Sequence, residues 1–186
     1  QAGWEQMVGP RGNYIGQESL SSNIEGNRCT VAALLRFANN GILVSITYDS
    51  KEQVIGMWTN YQIIDGPADD ASYTEIDITV AGDPELPLRG KLTLPKEVDN
   101  PPVVILVQGS GSSDMNETIY SNAPFRDIAW GLAEQGIASI RYDKRYYTYP
   151  DKAVELNNAV TIDDEVLSDV YAAIDLAKTD GRVDGE

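Results

Sequence analysis

The run Val103-Val104-Ile105-Leu106-Val107, followed at once by Gln108-Gly109-Ser110-Gly111, constrains this chain more than any other stretch. Five consecutive apolar residues, most of them β-branched, make a segment too short for a helix and suited to a strand buried on both faces, as in a parallel sheet. Its carboxyl end opens into glycines. They let the backbone turn sharply and leave N–H groups free to face an anion. In open α/β sheets ligands gather at such strand ends. The pattern therefore predicts a buried strand over 103–107 and a site just beyond it.

The flanking sequence supplies the rest of a sheet. Residues 75–80 alternate polar and apolar, a half-buried strand. A turn follows over 82–87, and Leu88, Gly90, Leu92 and Leu94 then alternate with Arg89, Lys91 and Thr93. These two strands form an antiparallel hairpin at the sheet edge. Pro124 suits a first helical turn, Phe125, Ile128, Ala129, Leu132 and Ala133 share one face, and Gly136 fits the left-handed end position. Residues 137–142 are the next strand. Thr161 caps a last helix with an apolar stripe of Ile162, Val166, Val170, Ala173, Ile174 and Ala177. The order β-β-β-α-β-α defines an α/β class, with a crossover expected to return to a strand after Val183-Asp184.

The amino-terminal piece, residues 1–64, differs. A Gly-rich polar stretch over 9–16 precedes three segments with strand character, 28–37, 42–48 and 53–58. Asn39-Asn40-Gly41 and Asp49-Ser50 are hairpin chemistry, because Asn, Asp and Gly tolerate positive φ. The pattern is a small antiparallel β-meander, part of an α+β domain. Too few apolar residues precede the sheet to cover its inner face; an upstream helix or docking on the second piece would do so. Residues 65–73 form a Gly-, Pro- and Asp-containing linker, and 74–186 form the α/β piece.

Composition narrows the chemistry. The formal charge is −15, from 29 acidic and 14 basic residues, which disfavours nucleic-acid partners. Cys29 is the single cysteine, so no intrachain disulfide forms, and its alternating apolar setting suits a buried inert thiol. No window is long and apolar enough to span a bilayer. The chain begins with Gln1, which leaves an upstream segment, and a choice between extracellular and cytoplasmic location, open. There is no histidine.

The loop from Gln108 to Asp114 admits three readings: a plain strand-to-loop turn, an oxyanion hole built from preorganised N–H donors, or a dinucleotide loop. The last matches Gly109-x-Gly111 but has Asp114 where Gly or Ala is expected, and its helix starts about ten residues late. On the same rim, after the following strand, lies Arg141-Tyr142-Asp143-Lys144-Arg145-Tyr146-Tyr147. Asp143 and Arg145 suit loop bracing, while Tyr146 and Tyr147 suit a solvated strand end. Asp163 and Asp164 fall in a first helical turn, where carboxylates complement the helix dipole. No His or Cys stands near them to make a metal site, and no cofactor is expected.

Taken in order, residues 85–95, 103–113, 124–133, Gly136-Ile137-Ala138 and 141–145 make the second piece resemble the α/β-hydrolase superfamily, especially its bacterial esterase and serine-aminopeptidase-like branch. The first piece resembles a small α+β domain of unknown function that precedes some of these hydrolases. The resemblance covers the amino-terminal half of the hydrolase fold, so it implies an incomplete α/β-hydrolase sheet, a hairpin then βαβα. It implies an oxyanion donor at the backbone of Ser110 or Gly111, with Gln108, Gly109, Asp143 and Arg145 supporting the loop. Gln108 stands where the family usually has His. The family's G-x-S-x-G nucleophile elbow and its His are not in the sequence, and the elbow is expected shortly beyond Glu186. The chain is therefore expected to be a fragment of a serine hydrolase of carboxylic esters or related acyl compounds. It is expected to be inactive alone and able to self-associate through an exposed sheet edge. A non-catalytic binding module is the rival reading, with a nucleotide-binding domain behind it.

Overall fold

The computed structural model describes residues 12–38, 40–63, 66–67, 70–120, 122–155 and 159–185. The chain divides into two compact units, Gln1–Ala68 and Asp69–Glu186. Each has its own four-stranded sheet, so the molecule is mixed α/β with two sheets. Of the linker, Gly66, Pro67 and residues 70–73 are described; Asp65, Ala68 and Asp69, like Asn39 of the first hairpin and residues 9–11 of the polar stretch, lie outside the described residues.

The first unit is an antiparallel meander in the order β1 (Tyr14–Glu25), β2 (Arg28–Phe37), β3 (Gly41–Tyr48), β4 (Val54–Gln62). Opposed residues share a face. Leu35 faces Ile42, Val31 faces Ile46, and Ile46 faces Met57, so one face is apolar across three strands. The β3–β4 turn is held by Asp49, whose Oδ1 accepts the N–H groups of Lys51 and Gln53.

β1 is a strand that the sequence does not announce. Its residues Gln17 to Ser19 and Ser21 to Asn23 lack apolar alternation, and nearly all of it is exposed. It forms because its backbone pairs with β2 from Tyr14↔Phe37 to Glu25↔Arg28. Two register shifts, between Tyr14 and Gly16 and between Gln17 and Ser19, bulge it in the manner of edge strands.

In the second unit β5 (Tyr73–Val80), β6 (Leu88–Pro95), β7 (Val103–Ile105) and β8 (Ala138–Tyr142) lie in the order β5-β6-β8-β7. β5, β6 and β8 pair antiparallel, and β7 runs parallel to β8. The helices are α1 (Pro124–Glu134), α2 (Arg145–Thr148), α3 (Pro150–Glu155) and α4 (Ser168–Thr179), with a π-helical turn over Asp163–Leu167 leading into α4. Alternation along the strands divides the two faces. Val80, Leu88, Leu92, Ala138, Ile140 and Tyr142 pack with Ala173 and Ala177 of α4. Tyr73 packs with Trp130 and Ala133 of α1. Each fully buried Leu, Val or Ile contributes about 1.5–3 kcal/mol. Gly90 lets β6 and β8 approach: a Cβ there would lie 2.7 Å from the Arg141 carbonyl oxygen.

Three expectations are corrected. Among the described residues β7 is regular over three residues, pairs as a strand with β8 alone, and leaves Val104 exposed, so it is not covered on both sides as the apolar run predicts. Its continuous apolar run reflects the loop beyond it as much as the strand. Its other side is approached by Asp184, which bridges Pro102 in parallel and donates its N–H to the Pro101 oxygen at 2.9 Å. In α1 the buried face is Arg126, Ala129, Trp130 and Ala133, with Ile128 exposed. The Arg126 guanidinium lies 4.6 Å from the Trp130 ring centre, a cation–π contact, and donates through Nη2 to Asp127 Oδ1 at 2.7 Å. Before α4, Thr161 accepts the Glu165 N–H at its carbonyl oxygen and exchanges side-chain bonds with Asp164. The π turn then shifts the helical register by one residue, which leaves Ile162 exposed and outside the stripe.

Candidate functional site

β7 and β8 are parallel, so the segments leaving their carboxyl ends emerge side by side. The ladder continues one residue past β7, with the Leu106 N–H donating to the Ile140 oxygen at 2.9 Å. From there the loop is fastened to the chain that follows β8. The Gln108 side-chain amide donates to the Tyr142 carbonyl oxygen. Lys144 Nζ donates to the Gly109 oxygen at 2.6 Å. Ser112 Oγ donates to the Tyr146 oxygen, and the Lys144 N–H to the Ser113 oxygen at 3.1 Å. Asp143 closes the far end. Its Oδ1 accepts the Met115 N–H at 2.9 Å, and its Oδ2 accepts from Arg89 Nη2 at 2.9 Å and Nε at 3.2 Å.

The π turn contributes one more fastening. Glu165 Oε1 accepts the Gly111 N–H at 2.8 Å and Lys144 Nζ at 2.8 Å. The Lys144 hydrogen bond, then the Gly111 amide, hold the Glu165 carboxyl below its ordinary range, with a smaller contribution from the Ser110 hydroxyl. Gly111 sits at φ 102°, which a side chain would strain. Among the described residues nothing accepts the Ser110 N–H. Ser110 is exposed at the tip of a loop held on both sides of it.

Among the described residues Arg145 makes no hydrogen bond or ion pair to the loop. It reaches α4, donating through Nη2 to Asp169 Oδ1 at 2.7 Å and Ser168 Oγ at 2.8 Å. It thereby anchors the segment that carries Asp143 and Lys144. Beneath lies a buried polar network. Arg141 donates to Glu75 Oε1 at 2.5 Å, Thr93 Oγ1 at 2.8 Å and Asn116 Oδ1 at 3.0 Å, and Trp130 Nε1 also donates to Glu75. Through Asn116 it reaches the end of the same loop.

The fold thus brings Gln108, Gly109, Ser110, Gly111 and Asp143 together, with Arg145 one layer away. The sequence offers the mixed charges of 141–147 as loop braces but singles out Asp143 and Arg145 rather than Lys144, and gives no sign of Glu165; both Lys144 and Glu165 hold the loop. Lys144 stands between two residues that were singled out. Glu165 follows two acids read as helix-start residues, and its partners are 21 and 54 positions distant. Among the described residues no group of three or more His, Cys, Asp or Glu is placed to hold a metal ion. No described helix is long and apolar enough to cross a membrane.

No family model matches the chain. The chain is 38% identical over 150 residues to Esterase EstD of Thermotoga maritima, an alignment that covers 77% of this chain and 34% of that protein. It therefore spans about a third of the length of this curated relative. A solved structure from work on two prolyl endopeptidases aligns with 88% of this chain and 30% of its own, at 12% identity and a TM-score of 0.39, too slight a likeness to carry an argument. The identity to the esterase, on a mixed α/β architecture, supports a hydrolase-like fold.

Proposed function

We propose that these residues form the oxyanion-hole portion of a serine hydrolase acting on carboxylic esters or related acyl compounds. The observation that carries this reading is the fastened loop after β7, at whose exposed tip the Ser110 N–H has no acceptor among the described residues. An oxyanion hole needs such a donor, fixed before charge develops and costing no reorganisation during reaction. Gly111 is the weaker of the two candidates, because its N–H already donates to a carboxylate. The same carboxylate counts against a phosphate in this loop, and so against nucleotide binding.

In the proposed reaction a serine hydroxyl attacks the acyl carbon while a histidine takes its proton. The carbonyl oxygen gains charge beside the Ser110 N–H, and the amide after the nucleophile supplies the second donor. These 186 residues contain no histidine and no G-x-S-x-G, so the triad of the proposed enzyme lies outside them. The strand order β5-β6-β8-β7 and the approach of Asp184 to β7 support this, since they leave a place beside β7 for a further parallel strand.

The test uses a nitrophenyl ester and a serine-directed phosphonate. The 186 residues alone are expected to give no turnover. A longer protein that includes them and the triad is expected to hydrolyse the ester. Ser110→Pro, which deletes the N–H, should then lower kcat about 10²–10³-fold. Phosphonate-sensitive turnover by the 186 residues, or an unimpaired proline variant, would refute the proposal.

A further inference from the structure

We infer that Lys144 is a positioning residue that aims the Ser110 N–H, an inference that rests on the oxyanion-hole reading above. The Lys144 side chain is 3% exposed. Burying an ammonium is costly unless its donors are used. Here one donor goes to the Gly109 oxygen at 2.6 Å and another to Glu165 Oε1 at 2.8 Å. Gly109 itself is an exposed loop residue, and its hydrogen bond to Lys144 is only partly buried. A buried charge used to hold the backbone of an exposed loop is expensive as stabilisation. It makes sense as orientation.

The lever is the peptide plane. In a trans peptide the carbonyl of one residue and the N–H of the next point in opposite directions, and the described chain has no cis peptide. Drawing the Gly109 oxygen toward Lys144 therefore turns the Ser110 N–H to the opposite side. Glu165 fixes the next amide, that of Gly111, on the Lys144 side at 2.8 Å. The two restraints act on consecutive peptide planes, Gly109–Ser110 and Ser110–Gly111, in a segment to which its two glycines give extra backbone freedom. Lysine suits the task because its three rotatable donors serve a carbonyl and a carboxylate at once from a compact charge.

NMR on the labelled 186-residue chain tests the clamp. The wild type is expected to show a slowly exchanging Lys144 ammonium with a through-hydrogen-bond coupling to the Gly109 carbonyl carbon. In Lys144→Met the Gly109 carbonyl carbon should move upfield and the Ser110 heteronuclear NOE should fall, with the Trp130 indole resonance unmoved. An ammonium exchanging as fast as a surface lysine, or a Gly109–Ser110 correlation unchanged in a folded Met variant, overturns the inference. The first readout needs no variant, so it holds if the Met protein does not fold. In the complete hydrolase, Lys144→Met should lower kcat about 10–100-fold with KM changed less than about twofold; a loss confined to KM overturns the positioning role. A wild-type enzyme without ester turnover overturns the hydrolase reading instead, and leaves the NMR result to stand by itself.

Discussion

Replacing Arg141 with Met should be among the most damaging single changes in the second unit. The Arg141 and Glu75 side chains are 3% and 4% exposed, and their charges meet at 2.5 Å. Removing one partner of a buried ion pair costs about 3–5 kcal/mol, because the other charge stays behind without compensation. Glu75 would keep the Trp130 indole N–H at 2.8 Å and a long bond from Thr93 Oγ1 at 3.4 Å. Those bonds return part of the loss, which sets the expectation near the lower limit, about 3 kcal/mol. The second change is the informative one. Glu75→Gln on top of Arg141→Met removes the stranded charge yet keeps an oxygen for Trp130. The double variant should recover about 2 kcal/mol relative to Arg141→Met. Urea unfolding followed at the Trp130 indole resonance reports this unit separately from the first. A loss below about 1 kcal/mol for the single variant, or a double variant no more stable than the single, would show that the pair is not desolvated as described.

Three further outcomes are expected. Gly90→Ala should destabilise the second unit by about 1–3 kcal/mol in urea melts, since its methyl group would lie 2.7 Å from the Arg141 oxygen; a neutral result would mean that β6 and β8 can part. The Glu165 carboxyl is held low chiefly by Lys144, so its contribution is present above the ordinary carboxylate range and is lost as pH falls through its folded-state value. Glu165→Gln should flatten that acid limb of the stability curve, and identical limbs in both proteins would contradict the assignment. If β7 offers an open edge, the 186-residue chain should self-associate as its concentration rises, and Val104→Lys should suppress this in sedimentation velocity; unchanged sedimentation in the lysine variant would remove β7 from the contact.

What could be seen in the sequence follows from the range of each signal. The β5–β6 hairpin is written in strict alternation and a turn between two short strands, all within neighbouring residues. β8, the start of α1 at Pro124 and the Thr161–Asp164 cap are equally local. β1 is invisible because a polar edge strand gains its order from backbone pairing, which any sequence can supply. The edge position of β7 is hidden because an apolar run states how much apolar surface exists, not which neighbour covers it. At the candidate site, Gly109 and Gly111 mark the loop. The charges that hold it are unmarked, because a lysine beside an aspartate and the third of three acids look like ordinary surface until the π turn brings them together. The rotation of Ile162 away from the core is likewise unreadable, since a π turn has no residue signature of its own.

The position of β8 between β6 and β7 has a consequence for synthesis on the ribosome. β7 is made before β8, yet β8 is its paired strand in the sheet. At roughly 5–20 residues per second, Val103–Ile105 would wait some two to seven seconds for Tyr142 to be added, and longer for it to clear the exit tunnel. During that interval the nascent chain carries a bare β-branched stretch beside a finished hairpin. That interval, more than the folded state, is when a chaperone would have something to hold.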